Sequence, residues 1–69
     1  MHQTDAEGCN HLGFAYRDGL GVGQDHEAAV ALFDQACRGG IATSCTSLGF
    51  AYANGEGVAQ NQTKAAEIY

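Results

Sequence analysis

Three cysteines (Cys9, Cys37, Cys45), three histidines (His2, His11, His26) and two serines (Ser44, Ser47) are the side chains in this sequence best equipped for chemistry. A catalytic zinc needs three protein ligands converging on one ion. His2, Cys9, His11 and His26 follow no ligand spacing, so they read as surface or packed groups, and no metal or haem site is expected. Serine acyl transfer of the Ser-x-x-Lys type needs a lysine one helical turn after the nucleophile. Neither Ser44 nor Ser47 has one, and Lys64, after Asn61-Gln62-Thr63, reads as a helix surface charge. A reactive thiol needs a lowered pKa, and no Lys or Arg adjoins Cys9 in sequence to supply it. An odd cysteine count leaves at least one thiol over in any intramolecular pairing. No catalytic residue and no cofactor is assigned.

Bulk composition narrows the partners. The chain has 69 residues, 45% hydrophobic, with eight acidic residues against three basic ones and a formal charge of −5. That apolar content is enough to fold, but so short a chain is one domain at most and only marginally stable without help. No Lys or Arg cluster is present to neutralise phosphates or anionic lipid, which argues against nucleic acid and membrane-surface partners. The opening Met1-His2-Gln3-Thr4-Asp5-Ala6-Glu7 lacks a basic region followed by an apolar one, so no export signal is expected in it, and no stretch is long enough to span a bilayer.

The elements that must position these groups are written in an internal repeat. Cys9-Asn10-His11-Leu12-Gly13-Phe14-Ala15-Tyr16 returns as Cys45-Thr46-Ser47-Leu48-Gly49-Phe50-Ala51-Tyr52, an offset of 36 residues (45 − 9). Gly19, Gly21, Val22 and Gln24 recur in the same register as Gly55, Gly57, Val58 and Gln60. Apolar residues at helical spacing (Ala6, Cys9, Leu12, Tyr16 and Ala42, Cys45, Leu48, Tyr52) mark a first helix in each unit. Ala29, Leu32, Phe33, Ala36 and Cys37 mark a second, whose counterpart begins at Ala65, Ile68 and Tyr69. Thr4-x-x-Glu7 fits a capping box, Asp25 and Asn61 suit N-caps, and Gly39 suits a left-handed helix stop. Two units follow: residues 1–36 with helices near 5–17 and 26–38, and residues 37–69 with helices near 42–53 and 62–69. Glycines at 13 and 49, mid-helix, cost roughly 0.5–1 kcal/mol each relative to alanine and imply close approach of a neighbouring helix. Phe14 and Phe50 fall off the apolar stripe and are expected to pack against the next repeat.

The 36-residue period, the Ala-x-x-Cys-x-x-Leu-Gly-x-x-Tyr string, the Gly-x-Gly-Val turn and the Ala-rich second helix resemble the Sel1-like repeat, a relative of the tetratricopeptide repeat. Ala36-Cys37-Arg38-Gly39-Gly40 followed by Cys45 is similar to the cysteine-rich branch of that family, typified by the Helicobacter cysteine-rich proteins. The resemblance implies an all-α solenoid of two helix-turn-helix repeats, the second incomplete at Tyr69, with the first helices lining a concave face. It implies a disulfide between Cys37 and Cys45, the alternative being two buried free thiols. The place of a partner for Cys9 is held by Met1 (37 − 36), so Cys9 is left as a free thiol. Such a bridge implies work in an extracellular or periplasmic setting. Repeat surfaces of this kind bind proteins or peptides, with Asp5, Glu7, Asp18 and Asp25 favouring a neutral or basic partner. A homo-oligomer through exposed repeat ends is also expected. Relatives in the cysteine-rich branch are often described as penicillin-binding or β-lactamase-like, which makes a secreted protein acting on β-lactams or peptidoglycan the alternative function.

Overall fold

The structure, a computed structural model, describes residues 6–68. Four helices run α1 Ala6–Asp18, α2 His26–Arg38, α3 Ala42–Asn54 and α4 Gln62–Ile68, and there is no strand among the described residues. Met1, His2, Thr4, Asp5 and Tyr69, and with them the Thr4 capping box, lie outside this range.

Helix limits follow from local chemistry. The Asp25 carboxylate accepts the Ala28 N–H at 3.1 Å, and the Asn61 side-chain oxygen accepts the Lys64 N–H at 2.9 Å, each satisfying a donor that the helix itself leaves open. At the ends of α1 and α3, Gly19 (φ 71°) and Gly55 (φ 70°) turn left-handed. The Leu20 N–H then reaches back to the Ala15 carbonyl and the Glu56 N–H to that of Ala51, at 2.8 and 2.9 Å. Gln24 and Gln60 explain their own recurrence: each donates its side-chain N–H at 2.8 Å to a late carbonyl of the preceding helix, Arg17 and Ala53 respectively.

One expected stop is displaced. Gly39 has φ −81°, not a left-handed conformation, and the reversal falls on Gly40 (φ 96°). The Ile41 N–H bonds the Ala36 carbonyl and the Gly40 N–H that of Cys37, the paired pattern that places the left-handed residue one position later. Gly39 is small for another reason, since a Cβ there would lie 2.6 Å from that of Ala6.

Packing is sequential. Helix α2 lies against α1 and α3, and α3 lies against α2 and α4. Ala29, Val30, Phe33, Leu48 and Ala51 form the buried core, with Phe14, Tyr16, Tyr52, Val58 and Ile68 packed around it. Covering a large apolar side chain contributes about 1.5–3 kcal/mol, so this small cluster carries much of the fold. Val30, absent from the expected stripe, is buried because α2 has neighbours on two sides and needs a wider apolar face. Gly13 admits the Phe33 ring so closely that a Cβ would meet it at 2.8 Å. Gly49 is also buried, and Tyr69, its expected ring by the repeat offset, lies outside the described residues. Leu12, expected on the core stripe, is 43% exposed, whereas its counterpart Leu48 is 4% exposed. Helix α1 packs chiefly on α2, while α3 is held between two helices.

A candidate interaction site at the junction of the repeats

The end of α2 and the second turn of α3 bring Cys37 and Cys45 together, with Sγ atoms 1.97 Å apart and Cα atoms 4.6 Å apart. That separation lies within the range a disulfide spans without moving the backbone. Cys9, the counterpart of Cys45 on α1, is half-buried and its thiol donates to the Gln35 side-chain oxygen at 3.4 Å. Gln35 belongs to α2, so the thiol sits at a helix interface rather than beside a cation.

Ser44 is fully buried, and its hydroxyl donates to the Asn10 side-chain oxygen. The Asn10 amide in turn donates to the Thr43 hydroxyl at 3.4 Å. These bonds tie the first helix of one repeat to the first helix of the next. Sequence reasoning missed them because Asn10 and Ser44 do not recur: their counterparts are Thr46 and Gly8. Only pairing across repeats, not comparison between them, reveals such a link.

Beside this tie lies a cleft of about 420 Å³ whose lining includes Arg17, His26, Ser47, Phe50, Ala51 and Glu56. It is built from the end of α1, the start of α2, the outer side of α3 and the turn after α3. The turn is seated firmly, because a Cβ on Gly57 would overlap the His26 carbonyl group and lie 2.9 Å from the Glu27 nitrogen. With φ 79° that residue also favours glycine. Phe50 is 59% exposed within this cleft. Its counterpart Phe14 meets Phe33 edge-on at 5.1 Å between ring centroids and carries the Arg17 guanidinium 4.6 Å above its ring. Arg17 is held there by two 3.1 Å bonds to the Asp18 carboxylate. Those bonds hold the Asp18 carboxyl below its ordinary value against an opposing desolvation, with the nearby charges of Arg17 and His26 adding lesser contributions in the same direction as the bonds. The repeat offset places Ala53 where Arg17 would stand, so Phe50 has no such cover. That substitution, Arg17 to Ala53 beside a repeated Gly-Phe-Ala-Tyr, is the one sequence signal for the cleft, and it lies outside the recurring positions.

A second groove runs between α2 and α4 past Val30, Leu48, Tyr52, Val58 and Ile68. Here the Lys64 ammonium lies 5.6 Å from the centroid of the Tyr52 ring. Of the acidic residues expected to steer a partner, Glu7 is exposed, Asp18 is paired with Arg17 and Asp25 caps α2. Among the described residues no three His, Cys, Asp or Glu side chains cluster as metal ligands would. No described helix is long and apolar enough to cross a membrane.

A family model described as Sel1 repeat matches residues 6–41 and 42–69. A Sel1 repeat protein from Oxalobacter formigenes superposes with a TM-score of 0.91 at 31% identity, over 94% of this chain and 27% of its own. Cysteine-rich protein B of Helicobacter pylori superposes with a TM-score of 0.87 at 30% identity, over 91% of this chain and 47% of its own. The chain therefore spans about a quarter and about half of these two solved proteins. No curated protein matches the sequence significantly.

Proposed function

Because the chain belongs to the Sel1 repeat family, whose members are generally protein-interaction modules, we propose that it is an adaptor or scaffold module binding a protein or peptide on its helical surface. The observation that carries this is the cleft between the repeats, where α3 presents Phe50 largely bare to solvent. A large exposed ring in a concavity marks an interaction site more often than a scattered surface residue does. Capture of partners from its native source on immobilised Cys9→Ser protein, read by mass spectrometry with a Phe50→Ala control, tests the reading. A specific partner lost with Phe50→Ala is expected. An identical background on both proteins overturns it.

The β-lactam alternative finds little support in the placement of the candidate groups. Ser44 is fully buried, and Lys64 lies over Tyr52 rather than in the cleft that holds Ser47. Turnover of a chromogenic β-lactam above a denatured control would reverse the order.

The same reading places the module in an extracellular or periplasmic setting, with Cys37 and Cys45 bridged and Cys9 free. The Cα separation of 4.6 Å supports it. A bridge closing so short a loop contributes about 2.5 kcal/mol in the chain-entropy model, a large share of the stability of so small a fold. Titration of the unfolded protein without reductant should find one thiol; three thiols would remove both the bridge and the argument for export. Self-association is a further mode, supported by exposed Leu12 and Leu20. Sedimentation across a wide concentration range reads it, and a monomer throughout excludes it.

A further inference from the structure

We propose that the cleft at the repeat junction receives an arginine or lysine side chain of an extended protein segment, its cation over the Phe50 ring and within the field of Glu56. The proposal rests on the interaction-module reading and names the chemistry of the partner.

The argument comes from the other rings of the molecule. Phe14, one repeat earlier, carries the Arg17 guanidinium at 4.6 Å, and Tyr52 carries the Lys64 ammonium at 5.6 Å. Phe50 presents the same kind of ring with more of it exposed, yet Ala53 stands where its repeat register calls for Arg17. The negative face of an aromatic ring attracts a cation within about 6 Å of its centroid. What the chain supplies from within at Phe14 is open to a cation from outside at Phe50.

The rest of the cleft favours the same charge. Glu56 lines it with no side-chain partner among the described residues, and Ser47 offers a hydroxyl oxygen. Among the described residues Arg17 is the one arginine or lysine in the lining, and it is already engaged by Asp18 through two hydrogen bonds and by the Phe14 ring. An incoming anion would meet Glu56 and a chain of formal charge −5. An incoming cation is steered by the same field. A flat guanidinium stacks on a ring face while its edge still donates hydrogen bonds, so arginine suits the cleft better than lysine.

The test is selection of a random displayed peptide library on the whole oxidised chain, followed by calorimetric titration of the selected peptides. Enrichment of Arg or Lys is expected. Phe50→Ala should weaken those peptides roughly five- to thirty-fold, Phe50→Trp should retain them, and Glu56→Gln should weaken them and flatten their salt dependence. Phe50 is largely exposed, so these variants should fold, and circular dichroism checks that they do. Ile68→Ala, in the other groove, serves as the control and should bind normally. Selected peptides without basic residues, or basic peptides indifferent to Phe50, overturn the proposal. Peptides lost only with Ile68→Ala overturn it while leaving the module reading intact. Failure to select any peptide, together with no partner in the capture experiment, removes both.

Discussion

The two repeats share a sequence frame and differ in what surrounds it. Leu12 and Leu48 hold equivalent positions, yet one is 43% exposed and the other 4%. A Cβ on Gly57 would strike the backbone at the start of α2, whereas one on Gly21 would meet nothing within 4 Å. Phe14 has a guanidinium for cover and Phe50 has none. The comparison separates two kinds of information. The repeat pattern specifies where a side chain points, and the neighbouring helix decides what that direction is worth.

Truncating the leucines should give the largest contrast. Leu48→Ala removes a side chain packed between α2 and α4 and should cost about 2–4 kcal/mol, the range for a buried leucine. Leu12→Ala, on the open side of α1, should cost less than about 1 kcal/mol. Paired denaturant titrations measure the difference. Equal losses would mean that α1 is covered in solution by something that the isolated fold does not show.

Alanine at the turn glycines should give the next contrast. Gly21 and Gly57 both have φ 79°, so Gly21→Ala and Gly57→Ala share a backbone penalty of about 1 kcal/mol. Only Gly57→Ala also forces the turn away from His26 and Glu27, which should add about 1–3 kcal/mol through overpacking. If the two variants melt together, the second turn is not seated on α2 as the structure has it.

The same division explains what the sequence made legible. The four helices follow from apolar period, and the N-caps at Asp25 and Asn61 from residue type, because these are local properties of the chain. The close approach at Gly13 was also readable, since a mid-helix glycine demands a reason, and the Phe33 ring is that reason. The exposure of Leu12 was not, because it depends on what packs against the outer side of α1 and not on the pattern of α1 itself. The stop at Gly40 escaped because two adjacent glycines are equivalent in composition and only the hydrogen bonds to Ala36 and Cys37 distinguish them. The cleft escaped for a different reason: it is marked not by residues that recur but by one position where the repeat fails, Arg17 against Ala53.

The smallest effect tests that failed position directly. Arg17→Ala strips the guanidinium from Phe14 and makes the first repeat resemble the second. It should cost about 0.5–1 kcal/mol, since the interaction is partly exposed to water. A pH signature distinguishes the cause. Asp18 has its carboxyl held below the ordinary value of 3.8 by Arg17. A group with a lowered folded-state pKa stabilises the fold above its unfolded value and loses that contribution as the pH falls through the folded one. The small acid-side loss should therefore be present in the unmodified chain and absent from Arg17→Ala. The converse variant, Ala53→Arg, installs the missing cover over Phe50. Its carboxylate partner would still be lacking, because Asn54 stands where Asp18 does, so Ala53→Arg with Asn54→Asp is the complete exchange. The double variant should leave stability within about 1 kcal/mol of the unmodified chain, while reducing the exposure of Phe50. Solvent protection of the Phe50 ring, followed by NMR, measures this without any ligand. If the installed arginine stays in solvent and the ring remains exposed, α3 does not present Phe50 as α1 presents Phe14, and the equivalence on which the comparison rests fails at that position.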